Sequence, residues 1–143
     1  MKTIKNLFDR KQTVEEMKRL AELYTCDIAN IKDNAVQFFE RVKKIKYLRD
    51  TYPFEVVERP KYIINQNTAD CKKKAILMLS YAFLKKIPNR IVVMSNRPDR
   101  VMHHVFIQYF INGEWINFDN TYPKYYIGMP KKTTNIKIYE GLK

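Results

Sequence analysis

The chain has 143 residues, of which 45% are hydrophobic and 13% aromatic. This apolar content excludes a disordered chain, and the length is enough for one compact domain with its own core. Two cysteines and two histidines exclude a disulfide framework and show no zinc-like spacing, so we expect neither a metal nor another cofactor.

The chain has 27 Lys and Arg against 15 Asp and Glu, and its net charge of +12 indicates which classes of partner it could bind. Such a charge attracts nucleic acid, anionic surfaces and acidic peptides. The basic residues are spread along the chain without an RNP or helix-turn-helix pattern, so nucleic-acid binding is the less favoured expectation and stays open. Without a signal-peptide pattern or a run of about 18 apolar residues, we expect a soluble, cytoplasmic protein with no membrane partner.

Two helices are predicted before residue 54. Thr13 and Glu16 match a capping box, after which apolar residues recur at helical spacing toward Cys26. We expect Cys26 to lie in the core. A second helical pattern runs from about residue 33 to 49, and Tyr52-Pro53 ends it.

The next segment combines an irregular stretch with the most strongly patterned helix. From Phe54 to Asn65, Pro60 interrupts the apolar pattern, which favours short extended pieces and a loop. The stretch CKKKAILMLSYAFLKK then predicts a helix that begins at Cys71 and ends before Pro88.

Strands follow this helix. RIVVMS predicts a strand, Asn112-Gly113 a two-residue hairpin loop, and NIKIYE an edge strand. The order of elements predicts an α+β domain in which the helix starting at Cys71 packs on an antiparallel sheet. Within this single domain we distinguish a helical N-terminal part (1–53), a catalytic core (54–122) and a C-terminal extension (123–143).

The hairpin decides which of the two adjacent histidines faces an aspartate. With a two-residue loop, Ile111 pairs with Glu114, and the same register makes His104 and Asp119 diagonal neighbours on one face. His103 then points to the other face. A bulge before His104 would exchange the two histidines.

Cys71 at a helix start suggests a nucleophile. Unpaired backbone N–H groups and the positive end of the helix dipole favour a thiolate there, and the same N–H groups can stabilise an oxyanion. With His104 as base and Asp119 orienting it, Cys71 completes the outline of an acyl-transfer site. The structural alternative is a buried cysteine, a hydrogen-bonded histidine and a turn-forming aspartate.

Three stretches, ERPKYIINQNTADCKKKAILMLSYAFLKKIPNRIVV, HHVFIQYFINGEW and INFDNT, resemble the transglutaminase-like superfamily of papain-related enzymes, including its short bacterial or phage-borne members. The resemblance covers about residues 55–122, with the motifs in the family's order. It implies that Cys71 is the nucleophile, His104 the base and Asp119 the orienting residue. It also implies an oxyanion-stabilising role for Gln66, with Asn67 as the adjacent alternative.

Several positions depart from the family pattern without removing a triad member. They are Ala69 and Lys86 in place of glycine, Gln108 in place of glutamate, Asn120 in place of proline, and Lys72 and Lys73 where many relatives have acidic residues.

The resemblance implies amide chemistry through a Cys71 thioester, either hydrolysis or acyl transfer, on a peptide or protein substrate and without a cofactor. The positive charge would favour acidic substrates. The leading hypothesis is therefore a thiol-dependent amide hydrolase or acyltransferase. Two alternatives stay open: a catalytically silent relative that serves as an interaction or assembly module, and a basic nucleic-acid-binding protein.

Overall fold

The computed structural model describes residues 2–5, 10–49, 55–95, 104–132 and 135–142. In this part of the chain, helices pack on an antiparallel four-stranded sheet, which confirms the predicted α+β class. None of the helices described is long and apolar enough to cross a membrane.

The elements are, in chain order, β1 (Lys2–Lys5), α1 (Arg10–Leu23), a 3₁₀ turn (Thr25–Ile28), α2 (Ala35–Lys43), β2 (Lys46–Tyr47), β3 (Glu55–Glu58), α3 (Pro60–Gln66), β4 (Thr68–Ala69), α4 (Cys71–Lys85), β5 (Asn89–Met94), β6 (His104–Ile111), β7 (Glu114–Phe118) and β8 (Ile136–Glu140).

Helix α4 forms the centre of the domain. Every residue from Lys72 to Ala82 is buried, because α1, α2 and the sheet cover different sides of the helix. The Tyr109 hydroxyl in β6 donates a hydrogen bond to the carbonyl of Met78, which ties helix to sheet. The predicted helix start at Cys71 is confirmed.

The four strands of the main sheet run in the order β7, β6, β5, β8, and each neighbouring pair is antiparallel. Asn112 and Gly113 have φ angles of 53° and 81°, the left-handed values that a two-residue hairpin loop requires. Ile111 pairs with Glu114, so the predicted register is confirmed. Strand β8 lies at an edge, as NIKIYE predicts.

The start of α1 differs from the sequence expectation. The helix begins at Arg10, so Thr13 lies inside it and the predicted capping box there is wrong. Arg10, Lys11 and Gln12 all have high helix propensity, which extends the helix by about one turn. A capping box does begin α2, where Asn34 and Gln37 exchange side-chain-to-backbone hydrogen bonds. Helix α2 ends at Lys43, so the predicted extent of the second helix to residue 49 is wrong: Lys46 and Tyr47 form β2 and pair with β4 instead. The predicted stop at residues 52–53 lies outside the described residues.

Helix α3 replaces the loop expected after residue 59. Pro60 occupies the first turn of this helix, where a missing N–H is tolerated and the fixed φ suits the helix. Before it, β3 pairs with β1, so the N-terminal part also contributes a strand.

Cys26 is exposed in the 3₁₀ turn, so the expected core position is wrong; Ile28 of the same turn is the buried residue.

Candidate active site

The Cys71 thiol lies at the first residue of α4 and is partly buried. The preceding residue, Asp70, is the N-cap: its carboxylate accepts a hydrogen bond from the backbone N–H of Lys73 at 2.9 Å. The Lys72 ammonium forms an ion pair with the same carboxylate. The negative charge of Asp70 beside the thiol is therefore paired with a cation.

His104 and Asp119 are in direct contact, as the hairpin register predicts. Nε2 of His104 lies 2.6 Å from Oδ2 of Asp119, and the two side chains are 13% and 2% exposed. An ionised carboxylate can only accept, so Nε2 carries the hydrogen and Nδ1 is the nitrogen left for a second partner. Cys71 lies close enough to the ring to act on it, since its hydrogen-bonding and charge effects are among the causes that raise the pKa of His104.

Burial and hydrogen bonding act in opposite directions on this pair. Burial disfavours the imidazolium, but hydrogen bonds to Asp119 and Cys71 outweigh it and raise the pKa of His104 to about 9. Burial likewise opposes the Asp119 carboxylate, yet hydrogen bonds from His104 and Lys131 lower the pKa of Asp119 to about 2. Near neutral pH the pair is an imidazolium facing a carboxylate.

The loop after β7 holds Asp119 in place. Oδ1 of Asp119 accepts hydrogen bonds from the backbone N–H and the hydroxyl of Thr121, at 3.2 and 2.7 Å. The amide of Asn120 donates to the carbonyl of Phe39 in α2 at 3.1 Å. Where the family pattern has proline, this chain therefore uses a side-chain hydrogen bond to anchor the loop.

Lys74 supports the same loop from inside the molecule. Its side chain is buried, and Nζ donates to the carbonyls of Thr121 at 3.0 Å and Lys43 at 3.3 Å. Burial lowers the pKa of Lys74 to about 8, against the opposing effect of the Asp119 charge. This lysine of the CKKK stretch is a structural bridge and not part of an exposed basic patch.

Lys131 also contacts the site. Its Nζ donates to Oδ2 of Asp119 at 2.5 Å, the oxygen that His104 contacts, and its side chain is 8% exposed. The sequence pattern did not indicate this residue. A single lysine ten residues beyond the INFDNT stretch has no periodic pattern to link it to Asp119.

Three tyrosines form an aromatic wall beside the thiol and imidazole. The rings of Tyr47 and Tyr122 lie 5.0 Å apart, those of Tyr122 and Tyr125 5.2 Å, and Tyr125 meets His104 edge-on at 6.4 Å. Burial, the hydrogen bond with Tyr122 and the negative charge of a Cys71 thiolate all raise the pKa of Tyr47. Its phenol therefore stays neutral and can donate a hydrogen bond within the site.

Gln66 is the last residue of α3 and is exposed. Its Nε2 donates to Oε1 of Glu58 at 3.1 Å, and its role toward an oxyanion stays a prediction. The adjacent Asn67 ends α3 in a left-handed conformation with φ 55°. His103, the other member of the histidine pair, lies outside the described residues.

Gln108, which stands where the family has glutamate, joins three strands. Its Oε1 accepts from Arg90 at 2.6 Å, and its Nε2 donates to Asn117 at 2.7 Å. Asn117 in turn donates to the carbonyl of Met129 at 3.0 Å. The neutral amide fits this relay because it accepts on one side and donates on the other.

The part of the chain that the structure describes contains no group of three or more His, Cys, Asp or Glu placed to hold a metal ion.

Comparison with known families decides the relationship: the profile of the Transglutaminase-like superfamily matches residues 18–120, more than half of the chain. The chain belongs to this superfamily.

One solved structure is similar to this transglutaminase-like chain: a protein from Cytophaga hutchinsonii described as a candidate cysteine protease. The two share 14% sequence identity with a TM-score of 0.48, and the match covers 87% of this chain and 47% of that one. The chain thus spans about half the length of that protein. No curated protein matches the transglutaminase-like chain.

Proposed function

We propose that this transglutaminase-like protein is a thiol-dependent amide hydrolase or acyltransferase. In this proposal Cys71 is the nucleophile, His104 the general acid and base, and Asp119 the residue that orients His104. The observation that carries the proposal is the direct contact of His104 with a buried, anchored Asp119 carboxylate, with Cys71 near enough to the ring to influence its pKa.

Acylation begins with the thiolate and imidazolium forms of Cys71 and His104. The sulfur attacks the carbonyl carbon of a peptide or side-chain amide, and the carbonyl oxygen becomes an oxyanion. Backbone N–H groups at the start of α4, with Gln66 as the proposed side-chain donor, would stabilise that charge. The carbon–nitrogen bond then breaks, His104 gives its proton to the leaving amine, and a thioester on Cys71 remains.

Deacylation uses the neutral imidazole that the first step leaves. His104 removes a proton from water or from a second amine, which attacks the thioester carbonyl. The thiolate leaves and His104 is again an imidazolium, so the protons balance over the cycle. Attack by water gives a carboxylate, and attack by an amine gives a new amide.

The surroundings of the site favour a peptide or protein substrate. The aromatic wall of Tyr47, Tyr122 and Tyr125 offers flat apolar surface next to the thiol, where an extended chain could lie. The net charge of +12 would attract acidic substrates.

The proposal can be tested with β-casein, an acidic and glutamine-rich protein, incubated with and without the primary amine dansylcadaverine. Acyl transfer predicts covalent incorporation of the amine, whereas hydrolysis predicts cleaved or deamidated casein by mass spectrometry. Either product should form with wild type and with Cys26→Ala, which alters an exposed thiol outside the site, and should be lost in Cys71→Ala. Equal product with Cys71→Ala would contradict the proposal.

A further inference from the structure

After β7, the chain from Tyr122 to Lys132 passes back beside the site. Two hydrogen bonds to Asn117 in β7 fix it: the backbone N–H of Gly128 donates to the Asn117 carbonyl at 2.7 Å, and the Asn117 amide donates to the Met129 carbonyl at 3.0 Å. The second bond fixes the backbone two residues before Lys131. The contact of Lys131 with Asp119 is therefore supported by the backbone and does not depend on a freely rotating surface side chain.

We propose that Lys131 is a positioning residue that holds the Asp119 carboxylate and sets the proton affinity of His104 by sharing one carboxylate oxygen with it. Lys131 lies beyond residues 18–120, the part of the chain that matches the family profile. The consequence for catalysis rests on the proposed function, whereas the effect on His104 does not.

The geometry places two cationic groups on one oxygen. Oδ2 of Asp119 lies 2.6 Å from Nε2 of His104 and 2.5 Å from Nζ of Lys131, so the two nitrogens are at most about 5 Å apart. A like charge at this distance disfavours the imidazolium, while the shared carboxylate favours it. Lys131 therefore reduces the stabilisation that Asp119 gives to protonated His104.

The environment of Lys131 limits the screening of this effect. Nζ lies 4.3 Å from the centre of the Tyr125 ring and 5.0 Å from that of Phe106, and the side chain is 8% exposed. Water and salt screen such an enclosed pair much less than a surface ion pair. The ring faces and the carboxylate together offset the cost of removing the ammonium from water.

Other ionisable groups also face the His104–Asp119 pair from the elements packed around it. Among the described residues these are Cys71 and Lys74 of α4, and Tyr125 of the segment after β7. The Lys74 ammonium is bound to backbone carbonyls, including that of Thr121 at 3.0 Å. Lys131 is thus the lysine whose ammonium contacts the carboxylate itself.

The sharing of the Asp119 carboxylate between His104 and Lys131 affects catalysis, because His104 must both give and take a proton. An imidazolium held too tightly by its carboxylate would be a poor acid toward the leaving amine and would seldom be neutral for the second step. Removing Lys131 should therefore keep His104 protonated to higher pH and slow deacylation near neutral pH.

The test is an NMR titration of the His104 ring in wild type, Lys131→Met, Lys131→Arg and Lys132→Met, with His103→Gln used to assign the two histidines. Lys132 is the matched control, because it is adjacent and exposed. We expect the His104 midpoint to rise by roughly one pH unit in Lys131→Met and to change by less than about 0.3 unit in Lys131→Arg and Lys132→Met.

A midpoint in Lys131→Met equal to or below that of wild type, or an equal rise in Lys132→Met, would overturn the inference. If Lys131→Met does not fold, Lys131→Gln takes its place and must show the same rise. The titration needs no turnover, so a shift without any Cys71-dependent product would contradict the proposed function alone. Turnover without the shift would contradict this inference alone.

Discussion

Asp119 uses both of its oxygens. Oδ1 accepts two hydrogen bonds from Thr121, and Oδ2 faces the cations of His104 and Lys131. A carboxylate with this many donors stays ionised although it is buried, which agrees with its lowered pKa. His104 is consequently held in one orientation, with Nδ1 available to the thiol.

The raised pKa of His104 predicts a pH-dependent contribution to stability. Because the folded value of about 9 lies above the ordinary 6.5, the contribution is full below pH 6.5 and is lost as the pH rises to 9. Its upper size is about 3 kcal/mol. Asp119, with its lowered pKa, contributes constantly throughout this range.

We therefore expect urea unfolding at pH 6 and pH 9.5 to show a larger stability difference between wild type and His104→Gln at the lower pH. Taking the difference between the two proteins removes the opposite trend of Lys74, which gains stability above pH 8 as its folded form loses a proton. A wild-type to His104→Gln difference that does not change with pH would show that His104 is not held as an imidazolium.

At the scale of elements, the hairpin was predictable and α3 was not. Asn112-Gly113 fixes a two-residue loop, and that loop alone sets the register that brings His104 and Asp119 to one face. Pro60 is compatible with a break in a strand and with the first turn of a helix, and the neighbouring residues do not distinguish the two. In the structure it lies in the first turn of α3.

The roles of Lys131 and Lys74 were not predicted from the sequence, because they depend on contacts between segments that are distant along the chain. The Lys131 contact depends on how the irregular segment after β7 folds back on Asn117, and irregular segments have no repeat from which a face can be derived. The role of Lys74 depends on a carbonyl 47 residues away along the chain. Residues 54–122 contain the triad pattern, but Lys131 lies outside them.

The end of α4 offers a test at the same scale. Lys86 has φ 58°, a left-handed conformation in which glycine, the residue of the family pattern, avoids the clash of a side chain. Lys86→Gly should raise the free energy of unfolding by roughly 0.5–1 kcal/mol. The control is Lys85→Gly, one residue earlier in the helix, which should lower it by about 1 kcal/mol.

Chemical denaturation of these two variants beside wild type measures both values. A loss of stability in Lys86→Gly as large as that in Lys85→Gly would show that the left-handed conformation of Lys86 is not strained.

At the scale of the molecule, the buried apolar residues of the described ranges form one cluster. Buried apolar residues come from α1, α2, α4 and the sheet, and β8 completes the edge beside β5. The positive charge is also partly internal, because Lys72, Lys73 and Lys74 are buried. These lysines do not add to an exposed surface for nucleic acid.

The shared core predicts that residues 54–122 do not fold when produced alone. This fragment lacks α1, α2 and β8, and with them buried residues such as Met17, Phe38 and Phe39. Circular dichroism should show a cooperative thermal transition for the full chain and none for the fragment. A sigmoidal transition in the fragment would instead identify it as an independent catalytic core.

The hypothesis that His104 activates Cys71 predicts a thiol that reacts below neutral pH. Its most direct test is the rate of iodoacetamide labelling from pH 5 to 9, followed by intact mass and peptide mapping in wild type, Cys26→Ala and His104→Ala. We predict rapid labelling of Cys71 below pH 7 in wild type and Cys26→Ala, and a rate at least roughly tenfold lower in His104→Ala. Equal rates with and without His104, or slow labelling of Cys71 until about pH 8.5 in every protein, would contradict the claim.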